Sequence, residues 1–196
     1  MLRKGPVLSV LLFPLALLSA ASAGAAPLGQ GAVELQVGSS FSHNSYSYQG
    51  ETVLRQTTLA LGLSGGDFLT DRLEIGGGVA AVHSFLDEVG VGSASQTSFG
   101  LSGNVTFNFP AGGNLVPFVG LAVGPIFYSG DGLSSTEATL ILPSVQVGVR
   151  QMVGNSASVN FGLSFAHQLN ALGVKDLNGN QLALTIGMSI YPRTAR

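Results

Sequence analysis

Apolar and polar residues alternate along most of the chain after about residue 27. In residues 181–190, QLALTIGMSI, every even-numbered residue is apolar and every odd-numbered residue is polar or small. A period of two places these sets on opposite faces of a β-strand. The same alternation recurs in seven earlier segments, at residues 33–41, 58–63, 73–81, 96–109, 119–124, 141–150 and 158–165. The pattern therefore predicts eight strands.

The chemistry of the polar face indicates what surrounds these strands. In a soluble sandwich that face meets water and carries many charges, whereas here it is mostly Gly, Ala, Ser, Thr, Asn and Gln. Only 9% of residues are charged and mean hydropathy is +0.42. Even so, no stretch after about residue 27 is apolar over the roughly 18 residues that a membrane helix needs. Small polar side chains suit the interior of a narrow barrel. We therefore predict an all-β fold, an eight-stranded antiparallel transmembrane up-and-down β-barrel, with a secreted or periplasmic sandwich as the alternative.

The connections between the predicted strands differ in length. Those after the second, fourth and sixth strands are compact and rich in turn residues, at 64–71, 111–114 and 152–156. Those after the other strands are longer, at 43–51, 84–95, 129–137 and 168–180. Short periplasmic turns and long external loops are typical of outer-membrane barrels, so we expect both termini on the periplasmic side.

The N-terminus has the pattern of a secretory signal peptide. Arg3 and Lys4 precede an apolar run over residues 7–18, and Ala-Ser-Ala precedes Gly24. The run is too short for a membrane span and contains Pro14. We expect a signal peptide at 1–23, with cleavage as late as 26 as the alternative, a barrel domain at 27–192 and a short tail at 193–196. The expected location is the bacterial outer membrane, and the absence of cysteine excludes a lipoprotein and disulfides.

Two segments carry a resemblance to a known family. Residues 65–79, GGDFLTDRLEIGGGV, and residues 116–124, VPFVGLAVG, resemble segments of small outer-membrane barrels related to the transmembrane part of outer-membrane protein A and to opacity-type surface proteins. The resemblance implies kinship with these eight-stranded barrels. We expect a non-enzymatic structural or surface-interaction role and a largely closed lumen. The expected partners are outer-membrane lipid, the barrel insertion machinery and an unidentified surface partner. Such chains often finish on an aromatic residue, whereas this one continues past Tyr191.

Three charged residues fall on the predicted inner face. Glu34, Glu74 and Arg150 each lie near the turn end of a strand. An unpaired charge inside a barrel is costly, so we expect them to pair with one another. The cluster is then either an ion pair that closes the lumen or a plug that gates a narrow passive conduit for small solutes.

A second group of residues falls on the outer face near the loop ends of the strands. We interpret it as an interfacial rim of amphipathic rings, formed by Phe41, His43, His83, Phe85, Phe127, Phe165 and His167. Three histidines at similar height also raise the hypothesis of zinc, but their parity directs them outward around the circumference. We therefore expect no metal site.

The segment around His167 has a separate resemblance. SFAHQLNALG, residues 164–173, is similar to the segment with the catalytic histidine and serine in lipid A 3-O-deacylases. Here His167, Asn170 and Ala171 match, but Leu169 replaces the serine, and acyl transfer then lacks its nucleophile. We expect no enzyme activity and no cofactor.

The remaining expectations concern partners. Without its first 27 residues the chain has six basic and ten acidic residues, so no basic patch predicts binding to nucleic acid. Tyr46 and Tyr48, in the predicted first loop, are candidate contacts to a surface partner, because tyrosine supplies rigid amphipathic area.

Overall fold

The strands close into one ring. The computed structural model describes residues 28–88, 92–109, 113–129, 138–154, 156–168 and 178–192. The described strands are β1 (Val33–Tyr48), β2 (Glu51–Phe68), β3 (Leu73–Glu88), β4 (Gly92–Asn108), β5 (Leu115–Ser129), β6 (Ala138–Val153), β7 (Ala157–Gln168) and β8 (Asn178–Ile190). Each pairs antiparallel with the next, and β8 pairs with β1. The predicted fold class is confirmed, while the predicted signal peptide and tail lie outside the described residues.

The alternation in the sequence maps onto the two faces of the barrel. Leu61, Leu63 and Leu182 are 61%, 62% and 57% exposed on the outer face. Inner positions such as Ser42 and Ser84 are buried. These outward apolar side chains are exposed within the described part of the barrel, so they form the surface expected to meet lipid. Within the described residues, no helix is long and apolar enough to cross a membrane.

The strands run further toward the loop end than the hydrophobic pattern predicts. They are 12 to 18 residues long, whereas about 9 to 11 residues cross a bilayer. β1 and β2 are joined only by Gln49 and Gly50, which have φ values of 52° and 89°, the left-handed conformation of a tight hairpin turn. The predicted long loop at 43–51 is therefore wrong, and the predicted loop at 84–95 shrinks to the residues between Glu88 and Gly92.

The strand pairing is irregular around β5, in addition to a register shift between Tyr46 and Ser47 in the β1–β2 pairing. The β4–β5 pairing lapses between Gly100↔Ile126 and Gly103↔Val123, and the β5–β6 register shifts between Ala122 and Gly124. The next residue is Pro125, which has no N–H for the sheet. A Cβ at Gly124 would lie 2.7 Å from the Cα of Ser102, so only glycine permits this approach of the two strands.

Candidate functional site

The three predicted inner charges meet at one end of the barrel. Arg150 on β6 donates from one guanidinium nitrogen to Glu34 on β1 and from the other to Glu74 on β3, at 2.6 Å to Glu74 Oε2. All three residues are buried. We call these residues the lumen charge cluster. It lies at the end of the barrel where β1 begins and β8 ends, which we call the terminal end.

Neighbouring polar groups hold the cluster in place. Glu34 Oε1 accepts a hydrogen bond from Ser189, with Asn160 Nδ2 and Tyr191 OH each 3.5 Å away. Arg150 also donates to Tyr191 OH at 3.1 Å, and Asn160 donates to Ser189 Oγ at 2.7 Å. These bonds connect β1 and β6 to β7 and the end of β8. Both carboxylates and two of the three guanidinium nitrogens thus have partners within the network, whereas Arg150 Nε has none among the described residues.

An apolar layer completes the closure at the terminal end. We call it the barrel floor, and its buried side chains are Leu28, Phe68, Val116, Met152 and Tyr191. The ring centroids of Phe68 and Tyr191 are 6.3 Å apart in an edge-on arrangement. The Arg150 guanidinium lies 5.8 Å from the Phe68 centroid and 5.4 Å from that of Phe118, within reach of cation–π attraction. Ion cluster and floor together fill this end of the lumen.

The sequence reasoning missed the barrel floor although its signal was present. Phe68 and Met152 have the same parity as the inner residues of β2 and β6, but both fell in segments interpreted as turns. Val116 likewise extends the inner row of β5. Continuing each strand by a few residues would have placed all three inside the barrel.

Above the charge cluster the lumen is incompletely filled. Two cavities of about 190 Å³ and one of about 180 Å³ lie within the described part of the barrel. The lowest is lined by the charge cluster, and Ser102 lines all three. Small inner residues such as Ala60 and Ala80, shared by the upper two, leave this space. The cavities follow one another from the charge cluster toward the loop end.

The cavity nearest the loop end, which we call the upper chamber, contains a residue that was expected outside. Tyr46 was predicted as a surface contact, and this is wrong, because its side chain points into the barrel and is only 1% exposed. Its hydroxyl donates to Gln56 Oε1 at 2.6 Å, and Asn44 Nδ2 donates to the same oxygen at 3.1 Å. Gly179 leaves room for the tyrosine ring, since a Cβ there would lie 2.5 Å from it. Tyr48, at the end of β1, is 40% exposed, and its role as a surface contact stays a prediction.

The predicted rim residues all occupy outward positions. Exposed are Phe41, His43, Phe85, Phe165 and His167, and partly buried are His83 and Phe127. Each histidine has its Nδ1 near a side chain on the following strand: Thr57 Oγ1 at 3.4 Å from His43, Thr97 Oγ1 at 3.0 Å from His83, and Asn180 Oδ1 at 2.7 Å from His167. The His83 and Phe85 rings are 4.7 Å apart. Within the described ranges, no three His, Cys, Asp or Glu side chains group as metal ligands would.

The segment similar to the deacylases is only partly described. His167 lies on the outer face beside Asn180, whereas Leu169, Asn170 and Ala171 lie outside the described residues. The side chain of Gln181 turns the other way, into the lumen, where it donates to Ser42 at 3.1 Å. The described part of this segment thus gives His167 an amide as neighbour.

Comparison with known proteins finds similarity in structure but not in sequence. No protein-family model matches the chain, and no curated protein sequence matches it. The outer membrane protein OprG from Pseudomonas aeruginosa superposes with a TM-score of 0.59 at 15% identity, covering 86% of this chain and 100% of that one. The outer membrane protein AlkL, solved in DMPC lipid bilayers, gives 0.57 at 17% identity, over 90% and 97%. The outer membrane enzyme PagL gives 0.44 at 19% identity, over 76% and 97%, and a score that low has no bearing on activity.

These structures agree with the described architecture and with the predicted resemblance. The outward apolar surface, the closed ring of eight antiparallel strands and the superposition on solved outer-membrane proteins are consistent with one another. The chain has the fold of the small eight-stranded transmembrane β-barrels of the bacterial outer membrane.

Proposed function

We propose that this protein is a non-enzymatic outer-membrane barrel with a structural or surface-interaction role and a lumen that does not conduct. The observation that supports the proposal is the double closure of the terminal end. The lumen charge cluster and the barrel floor lie next to each other at this end, and their side chains are at most 7% exposed. A solute would have to displace five packed apolar side chains and a buried ion cluster to pass.

Conductance across planar bilayers tests this proposal. We expect the wild-type protein to show no steady single-channel steps, since the floor blocks the axis. Arg150→Ala is expected to behave likewise, because Phe68 and Met152 still close the lumen without the guanidinium. Discrete steps from the wild type would refute the closed lumen.

The narrow passive conduit is the second candidate. The three successive cavities favour it, because they leave space along most of the axis. It requires the charge cluster to act as the gate. Steps that occur in Arg150→Ala and not in an Arg72→Ala control, whose side chain is exposed in the β2–β3 turn, would establish this conduit and overturn our proposal.

A lipid-modifying enzyme of the deacylase type is the third possibility. The replacement of serine by Leu169 opposes it, since no hydroxyl then stands beside His167. Mass spectrometry of lipid A from cells that express the protein and from cells that lack its gene distinguishes a deacylase from a non-enzymatic barrel. We expect identical acylation, and loss of an acyl chain that depends on His167 would establish the enzyme instead.

A further inference from the structure

We propose that the upper chamber is a dead-end binding site for a small neutral polyol. The proposal goes beyond a closed structural barrel, because it gives the loop half of the lumen a ligand. It rests on the cavity, on the kind of side chains that line it and on one buried polar atom without a partner.

The lining of the chamber determines the charge of the ligand. Its polar side chains are hydroxyls and amides, including Ser42, Thr58, Ser84 and Gln181. Among the side chains that the structure describes, none of those lining the chamber is charged, and the inward charges pair with one another at the terminal end. An ion in the chamber would lose its hydration without gaining a counter-charge. A neutral molecule with hydrogen-bonding groups avoids that cost.

The unpartnered atom points to a ligand that donates hydrogen bonds. Asn44 lines the chamber and is 3% exposed, and its Oδ1 has no hydrogen-bond partner among the described residues. Its Nδ2 is engaged by Gln56 Oε1. A buried acceptor without a partner is costly, so a donor from a ligand hydroxyl would be favourable once a small rotation of the Asn44 side chain presents its buried Oδ1 to the chamber. The Ser and Thr hydroxyls of the lining can both donate and accept hydrogen bonds, and so can the hydroxyls of a polyol.

Size restricts the ligand further. The volume of about 190 Å³ corresponds to about six water molecules at ~30 Å³ each. A triol or tetrol fits this space. The barrel floor and charge cluster lie beyond, so a molecule that enters from the loop end past Tyr46 leaves by the same route.

NMR of the protein in lipid nanodiscs provides the test, with glycerol as the probe. The side-chain amide signals of Asn44 and Gln56 are followed during titration, and we expect saturable shifts. Acetate and methylammonium are smaller than glycerol, so size does not exclude them, and because they are charged they are expected to give none. Shifts that grow linearly with glycerol, or equal saturation by either ion, would overturn the proposal.

A matched pair of variants assigns the site. Asn44→Leu removes the unpartnered oxygen and should weaken glycerol binding about tenfold, the loss expected for one hydrogen bond. Asn104→Leu alters the lowest cavity, where Asn104 donates to Thr106 at 3.3 Å, and should leave binding unchanged. Unheated gel mobility checks folding of each. If Asn44→Leu does not fold, Asn44→Ser takes its place with the same expectation. Undiminished binding in the folded Asn44 variant would refute the site.

Discussion

The exchange Arg150→Met isolates the energetic role of the lumen charge cluster. Methionine retains an unbranched apolar stem of similar reach, so it can pack against the Phe68 and Phe118 rings that flank the guanidinium. What disappears is the only charge that Glu34 and Glu74 contact in the described network. The variant therefore removes the ion pairing while sparing most of the packing.

The expected loss of unfolding free energy in Arg150→Met follows from the burial of the three charged side chains. Arg150 is 5% exposed and the two glutamates 2% and 4%, so the carboxylates left behind cannot recover their hydration. Removing one partner of a buried ion pair costs about 3 to 5 kcal/mol. Against a total stability of roughly 5 to 15 kcal/mol, Arg150→Met should leave a barrel that folds but unfolds at clearly lower urea.

Urea unfolding in lipid vesicles measures this loss. The chain contains no tryptophan, so far-UV circular dichroism and gel mobility of unheated samples serve as signals. Arg72→Met is the control, because that side chain is exposed in the β2–β3 turn, and it should change stability by less than ~0.5 kcal/mol. A cost for Arg150→Met below ~1 kcal/mol would refute the reasoning. Adding Glu34→Gln and Glu74→Gln to Arg150→Met should restore about half of the loss or more, since no carboxylate is then stranded.

Further predictions concern the turn, the chamber and the outer face. Tyr46→Phe removes a buried hydroxyl bond of 2.6 Å and should cost about 1 kcal/mol in urea unfolding, whereas Tyr48→Phe at an exposed position should cost little. Gly50→Ala, at a φ of 89°, should destabilise by roughly 1 kcal/mol in the same assay, while Gly113→Ala, with open space around it, should be nearly neutral. Leu61→Arg should lower stability in vesicles by about 2 to 4 kcal/mol if that face meets lipid, and a value near zero would contradict this orientation.

The face of the barrel to which each strand residue points could be predicted from the sequence, because successive side chains of a β-strand alternate between its two faces. Once Leu35 and Val37 are assigned to the outside, Glu34 must point inward, and the same rule places Glu74 and Arg150. The rule says nothing of which inner residues meet across the lumen. That Glu34 and Glu74 share one guanidinium depends on the closure and register of the whole ring.

Strand ends could not be predicted, for a physical reason. Hydrophobic alternation reports contact with lipid, and β1 continues past the apolar band into a region where Ser45 and Ser47 face outward. Without the apolar row, Tyr46 looked like part of a polar loop. The turn at Gln49 and Gly50 has only a weak sequence signal. Glycine at position 50 suits the left-handed conformation, but glutamine at position 49 is not a residue that typically indicates such a turn.

The inner face of the barrel differs between its two ends, and this difference separates the structural part from the part that we propose binds a ligand. Along the membrane band the outside is apolar and the inside is small and polar, which fixes the strands but leaves the lumen partly empty. At the terminal end the inside becomes apolar, as Phe68 and Met152 pack beneath the ion cluster. At the loop end Tyr46 turns inward over neutral amides and hydroxyls. On the two proposals above, solutes enter from the loop end and do not pass the terminal end, so binding in the chamber and conduction through the barrel are separate properties. A variant that opens both the floor and the charge cluster should create conductance without altering glycerol affinity.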